Sequence, residues 1–395
     1  MHITMIGPFG MQPRGTMRVR ALPLARALVQ HSHQVDLLLP PWQNPEHTGK
    51  MWQDAGVRVE NMQLPLHLPG WFHFWLTATL VRRAKALKPD VVHIFKPKAF
   101  AGLAHIALAR YIPSVVDTDD WEGTGGWNDL NPYSPALKRF FAWQEQWGLR
   151  RANAVTVASM ALQTLVWAVG RAPESVFYMP NGVVAPAYAG STIEKTGRPT
   201  VLLYTRFFEF GLDRLWRILS DVRKKVPAIQ FLVVGKGFFG EEQMLVDKAV
   251  AAGWRVSQRP NLTPEDDLVY TGLGTADTLP GYFQQADIAI YPFDDTLLNR
   301  TKCPVKLLDL LAAGVPVVAD AVGQISEMVR DGVSGLLVPT GHDDAFVSAI
   351  VKLVGDPALC HAMSDRASQD MQKRFSWDRM ADVAEQAYVF ARAKH

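Results

Sequence analysis

The chain has 395 residues, 48% of them apolar and 20% charged, with a formal net charge of +3. That length exceeds one ordinary core and predicts two domains of ~150–200 residues each, while a charge so near balance gives no support to nucleic acid as a partner. Cys303 and Cys360 stand at no metal-ligand spacing, which argues for a reducing, cytoplasmic setting and against a disulfide framework or a zinc site. The N-terminus enters directly as a short apolar strand, so no signal peptide is expected. No run reaches the ~18 uninterrupted apolar residues of a membrane-spanning helix.

In chain order, His2–Ile6 reads as a strand. A glycine-punctuated loop follows, with Gly7, Gly10 and Gly15, and then a helix over Arg18–His31 and a strand over Gln34–Leu39. The loop glycines miss the G-x-G-x-x-G spacing of a dinucleotide fingerprint, so they either contact a ligand or only permit turns. Residues 40–70 are proline-rich and read as loop. Trp71–Lys88 is helical in pattern. The longer run Trp71–Lys98 opens on aromatics and continues in basic residues, which suits a helix lying on a membrane surface; equally, its aromatics fit a core and its charges a solvated face. Val91–Phe95 and Ser114–Asp117 are strands around a helix at Phe100–Tyr111. The second strand runs into Asp117, Asp119, Asp120 and Glu122 among Gly123, Gly125 and Gly126. Carboxylates at a strand end can bind a metal, take a proton or bond sugar hydroxyls, or only cap turns. A helix at Ser134–Arg151, a strand at Ala154–Ala158, a helix capped by Ser159 and a strand at Val176–Met179 complete a first domain, residues 1–185.

Residues 186–199 are small, polar and aperiodic, and read as a linker. The β/α alternation then restarts for a second domain over 200–372. Its strands are expected at Val201–Thr205, Gln230–Val234, Val269–Thr271, Asp287–Tyr291, Val315–Ala319 and Leu336–Val338. A closing helix, 373–395, is expected to pack back toward the first domain. This is an α/β pattern of two doubly wound, Rossmann-like domains facing across a cleft. Within it, Asp287–Asp320 reads as strand, polar loop, short helix, strand. Pro304 suits the first helical position and Gly314 a left-handed end. Ligands bind at strand C-termini in such sheets. Here a helix N-terminus stands there beside Arg300, Lys302 and Lys306, a place for an anion such as phosphate.

Several ordered segments now resemble the retaining glycosyltransferases of family 4, with the GT-B fold. They are Pro89-Asp-Val-Val-His93, Arg151–Ser159, Pro180-Asn-Gly-Val183, Tyr204-Thr-Arg206, Val234-Gly-Lys-Gly237, Lys306–Val318 and Ser326–Val338. The resemblance implies sugar transfer from a nucleoside-diphosphate donor, held by the second domain, to a hydroxyl acceptor on the first. It implies no metal, and no cofactor, since the nucleotide sugar is a substrate. It implies Arg206, Lys306 and His93 as catalytic candidates, and the strand-end carboxylates Asp119 and Glu122 join them as candidates for acceptor-side work. It assigns Gly15, Gly235, Gly272, Leu273, Asn299, Arg300, Thr301, Lys302, Cys303, Pro304, Val305 and Asp309 to the donor, with Asp309 on the ribose hydroxyls. The family's lysine after the arginine is absent from Phe207–Gly211. The first glutamate of its pair falls at Thr301, and its usual histidine at Phe95. A nucleotide-sugar-binding protein that has lost catalysis is therefore the alternative from another class.

Overall fold

The computed structural model describes residues 1–12, 15–65, 71–183 and 195–395, and the chain divides into two compact units. The first holds Met1–Gly182, Thr301–Cys303 and Phe375–His395; the second holds Val183–Arg300 and Pro304–Arg374. Most of the predicted linker 186–199 lies outside the described residues.

In the first unit the strands are β1 (His2–Ile6), β2 (Gln34–Leu39), β3 (Met51–Asp54), β4 (Val57–Asn61), β5 (Val91–Phe95), β6 (Ser114–Thr118), β7 (Ala154–Val157) and β8 (Val176–Tyr178). Their order in the sheet is β3-β4-β2-β1-β5-β6-β7-β8, parallel except for β3 against β4. The helices are α1 (Leu22–Gln30), α2 (Trp71–Ala86), α3 (Ala99–Leu108), α4 (Pro135–Arg151) and α5 (Met160–Ala168). Right-handed crossovers put α1, which steps leftward, on one face, and α2 to α5, which step rightward, on the other. The order reverses between β1 and β5, so the ligand crevice of this sheet opens beyond their C-termini.

The C-terminal helix, Trp377–Ala393, lies on the α1 face. Its Ala381, Ala384, Ala387 and Ala391 are fully buried in one cluster with Leu24, Leu28 and Val91. A stripe of alanines lets a helix backbone lie close to a sheet, and Tyr388, also fully buried, adds ~1.5–3 kcal/mol of apolar burial.

Two departures from the sequence pattern occur in this unit. Residues 51–61 form a hairpin where loop was expected. Val57, Val59 and Asn61 alternate inward with Arg58 and Glu60, and the turn uses Ala55 and Gly56 at φ +46° and +85°. The first helix begins earlier than expected, as a π-helical turn at Met17–Ala21.

The second unit has β9 (Thr200–Thr205), β10 (Gln230–Gly235), β11 (Val256–Gln258), β12 (Leu268–Tyr270), β13 (Ile288–Tyr291), β14 (Val317–Asp320) and β15 (Gly335–Val338). All run parallel in the order β11-β12-β10-β9-β13-β14-β15. The helices are α6 (Leu212–Lys225), α7 (Glu241–Ala251), α8 (Leu279–Gln285), α9 (Leu297–Thr301), α10 (Val305–Ala312), α11 (Ile325–Met328), α12 (Asp343–Val354) and α13 (Pro357–Arg374). The switch point falls between β9 and β13, the strands that lead to Arg206 and to the 294–304 loop. Gly314 ends α10 at φ +71°, in the left-handed region. Pro304 is the cap residue before α10, not its first helical residue.

Candidate functional site

On the second unit, the end of β9 delivers Arg206 to the surface. Its guanidinium carbon lies 4.7 Å from the centre of the Phe238 ring, and Phe208 packs on that ring at 5.4 Å. An aromatic face holds an arginine without neutralising it, so the fork stays available to a bidentate anion. The loop behind it is tightly tied. Buried Glu209 accepts bonds from the Arg206 amide (3.3 Å) and the Thr205 hydroxyl (3.2 Å). Phe207 is held at φ +65°.

Next to this strand end, Gly235 has φ +136°, and a Cβ there would stand 1.9 Å from the Thr205 carbonyl oxygen. Only glycine fits. The Gly235 amide donates to the Gly272 carbonyl (2.8 Å), which aligns the ends of β10 and β12. Gly272 is at φ +78°, and Leu273 after it is exposed. These backbone groups lie at the C-terminal edge of the sheet.

Helix α10 starts at the same edge. Leu307 and Leu308 donate to the Pro304 carbonyl, so the amides ahead of them have no acceptor inside the helix. Lys306 sits with its ammonium 3.6 Å from the centre of the Tyr204 ring. Asp309, one turn on, is half-buried. Burial pushes its carboxyl up to about 6, against the pull of Lys306.

The loop 294–304 is less uniform than its composition suggests. Asn299 spends its amide protons on the carbonyls of Glu209 (2.7 Å) and Asp294 (2.8 Å), so it shapes the loop. Arg300 is exposed and turned onto Asp295 in a bidentate pair. Thr301 and Cys303 are buried and belong to the first unit. There the Ser159 hydroxyl donates to the Thr301 carbonyl (2.8 Å), and the Asn181 amide to the Cys303 sulfur (3.4 Å). Lys302 and Val305 are half-buried.

On the first unit, a buried charge network fills the crevice beyond β5 and β6. Lys96 contacts Asp120 (2.6 Å), Asp119 (3.0 Å) and Glu122 (3.4 Å). Lys98 contacts Glu122 (2.6 Å) and the Asn128 side-chain oxygen (3.2 Å). Burial works against the charge on Lys96, but its three carboxylates hold it firmly protonated. Asp119 also accepts from the Thr16 hydroxyl (3.1 Å), which ties the network to the start of the first helix. Gly15 contributes its carbonyl, taking the Arg18 and Val19 amides. Lys96 and Ala99 both adopt left-handed backbone, at φ +50° and +49°, a conformation that costs of order 1 kcal/mol or more per residue.

Two other groups complete this region. Arg20, in the π-helical turn, is fully buried and donates to Asp117, to the Asn181 side chain and to the Met179 carbonyl. Glu145 on α4 is fully buried and accepts the Glu122 amide (3.0 Å). Burial, with Glu122 beside it, pushes its carboxyl up to about 8. It is neutral at pH 7 in the folded chain and ionised in the unfolded one. The native state therefore holds the extra proton, and stability falls as pH rises from about 4.5 to about 8. Glu145→Gln is expected to remove that fall, up to ~1.4 kcal/mol per pH unit, as read from urea melts across pH 5–8. An unchanged slope would show that Glu145 is ionised when folded.

His93 is placed otherwise than the catalytic reading requires. It is fully buried, with Nδ1 on the Tyr388 hydroxyl (2.8 Å) and Nε2 on Thr156 Oγ1 (3.3 Å). Burial and the charge of Arg20 push it down to about 3. A neutral ring with both nitrogens engaged is a satisfied core histidine. Sequence reasoning missed Arg20, Lys96, Lys98, Glu145 and Phe238. Lys96 and Lys98 were visible as two lysines directly after a strand, but they were read as surface charge.

Two doubly wound α/β domains, each presenting polar groups at a strand-end crevice, define a protein of the GT-B class. Residues 15–182 match a glycosyl transferase 4-like domain and residues 198–356 the glycosyl transferases group 1 domain. The chain belongs to that family of glycosyltransferases. It is 27% identical over 353 residues to the GDP-mannose-dependent alpha-(1-6)-phosphatidylinositol monomannoside mannosyltransferase of Mycolicibacterium smegmatis, covering 84% of each chain. It is 25% identical over 399 residues to the phosphatidyl-myo-inositol mannosyltransferase of Mycobacterium leprae, covering 98% of this chain and 96% of that one. In fold it resembles sucrose-phosphate synthase from Thermosynechococcus elongatus, with a TM-score of 0.72, 20% identity and 98% of each chain covered. It also resembles Anabaena HepE in complex with UDP, with a TM-score of 0.67, 18% identity, and 98% and 99% covered.

Proposed function

We propose that the protein is a retaining glycosyltransferase that moves a sugar from a nucleoside-diphosphate donor to a hydroxyl acceptor, without a metal or a further cofactor. The observation that carries this reading is the seating of Arg206 on Phe238, at the strand end beside the N-terminus of α10. Arg206, Lys306 and the first α10 amides would take the charge that develops on the leaving diphosphate. Asp309 would hold the ribose hydroxyls, and the backbone at Gly272–Gly274 would meet the base. Asp119 and Glu122, with Lys96 and Lys98 around them, would order the acceptor. A lipid-borne acceptor suits the aromatic and basic helix Trp71–Ala86, which would hold the protein at a membrane surface from the cytoplasmic side, while Lys96 and Lys98 further along belong to the buried acidic network.

The test is a panel of UDP-, GDP- and ADP-sugars, followed by nucleotide release and by the anomeric configuration of any product. One donor is expected to bind and to be turned over with retention. No binding to any nucleotide would sink the reading. Binding without turnover under every acceptor would leave the degenerate alternative, favoured by Thr301 and Phe95, both fully buried where the family carries reactive groups.

A further inference from the structure

Helices α2 to α5 cover one face of the first unit's sheet, and their charge is one-sided. Together they carry seven lysines and arginines against a single acid, the buried Glu145. Arg83 pairs with Glu60 and Lys138 with Asp129. Arg82, Lys85, Arg139, Arg150 and Arg151 meet no carboxylate among the described residues. A helix layer that faces only water normally mixes both signs. The C-terminal helix on the opposite face does so, with Asp378, Asp382 and Glu385 beside Arg379 and Arg392.

The same layer exposes large apolar side chains in a pattern. On α2 these are Trp71, Phe74 and Trp75, on α4 Leu137, Phe140 and Trp143, and on α5 Met160 and Trp167. The least exposed of the eight, Leu137, is at 37% and the most exposed, Phe74, at 66%. Trp71 stacks on Trp75 at 5.6 Å and Phe140 on Trp143 at 5.9 Å, so the α2 and α4 groups each form one block. Contiguous exposed apolar surface marks an interaction site. Helices that return between parallel strands start at the sheet's C-terminal edge. Both blocks lie in the N-terminal half of their helix, on the edge that carries Lys96, Lys98 and Glu122. The cations Arg82, Lys85, Arg150 and Arg151 lie in the last turns, toward the other edge.

We propose that the α2–α5 layer docks on the surface of an anionic lipid bilayer, with α4 as well as α2 entering it. Tryptophan and phenylalanine belong at the headgroup boundary, and unpaired lysine and arginine are drawn to anionic headgroups. Helix α4 joins the two environments. Its outer side carries Phe140 and Trp143. On its inner side Phe141 lies 5.4 Å from the Lys98 ammonium, and Glu145 holds the Glu122 amide. A lipid-borne hydroxyl would then reach the network along α4 without leaving the bilayer. The docking stands independently of the transfer reading; only the acceptor's route rests on it.

The experiment is co-sedimentation of the full chain with vesicles of phosphatidylcholine alone or mixed with phosphatidylglycerol, at low and high salt, with no donor present. Binding is expected on the mixed vesicles and is expected to fall with salt. Phe140→Ser with Trp143→Ser should weaken it about tenfold or more. Arg150→Gln and Arg151→Gln should weaken it by roughly fivefold per cation. All four positions are exposed, and thermal melts of the variants should match the parent. Absence of binding to the anionic vesicles, or unchanged binding by the α4 variants, would overturn the proposal. So would a concentration-dependent dimer that the Phe140 and Trp143 substitutions dissolve, since the block would then belong to a second copy. Because no donor is present, failure to transfer sugar leaves this result untouched.

Discussion

Arg206→Ala is expected to lower kcat/KM for the nucleotide sugar by ~10²–10³-fold, the cost of removing one preorganised donor to a developing oxyanion. The side chain is exposed and its contact is with the Phe238 ring, so the melting temperature should hardly move. That split separates a substrate contact from a structural one. Arg206→Lys keeps the charge but loses the planar fork and most of the stacking, and should recover only part of the loss. Phe238→Ala keeps the guanidinium but frees it, and should raise the donor KM more than it lowers kcat. Steady-state kinetics on the three variants, with thermal melts alongside, decide the matter. An Arg206→Ala enzyme as active as its parent would remove this residue from the site and leave Lys306 and the α10 amides as the only phosphate groups.

The parts of this molecule legible in the sequence share a physical cause. Strands buried on both faces write themselves as apolar runs: β2 and β5 fall at the predicted limits, and β9, β10 and β13 within one residue at either end. Border strands are legible only where they stay apolar, as β8 and β15 do. The β3–β4 hairpin and β11 are short edge elements with polar residues, and proline-rich surroundings masked the alternation at Val57 and Val59. The helix start at α10 and the glycine turn at Gly235 were legible because backbone sterics demand them. Side-chain partners were less so. Arg300 and Asn299 stand in the expected loop, but Asp295 takes up the first and the carbonyls of Glu209 and Asp294 the second. His93 sits on a buried strand, where the ring pairs with Tyr388 from 295 residues away. Lys96 and Lys98 looked like part of a basic surface because their acidic partners lie 23 to 26 positions later, on another strand end. Local pattern fixes which backbone reaches the crevice; long-range pairing decides which charge remains there.

The second large effect is expected at Asp117. Its carboxylate is fully buried, accepts two bonds from Arg20 (2.7 and 2.6 Å) and a third from the Thr156 hydroxyl (2.7 Å). Asp117→Ala leaves a guanidinium sealed in the core with only the Asn181 side chain and the Met179 carbonyl, and should cost ~3–5 kcal/mol. For a unit of this size that is a fall of about 10 °C in melting temperature. Pairing Asp117→Leu with Arg20→Met removes both charges and should recover much of the stability, because desolvating the pair offsets most of its attraction. Activity should not return with it. Asp117 is the penultimate residue of β6, two positions before Asp119, and Arg20 is held in the π-helical turn beside Thr16, which bonds Asp119. The pair therefore fixes the strand end from which the acceptor network projects. A double variant that regained both stability and activity would show that the ion pair is dispensable to the site. One that regained stability alone would show that it positions the network rather than holding up the fold.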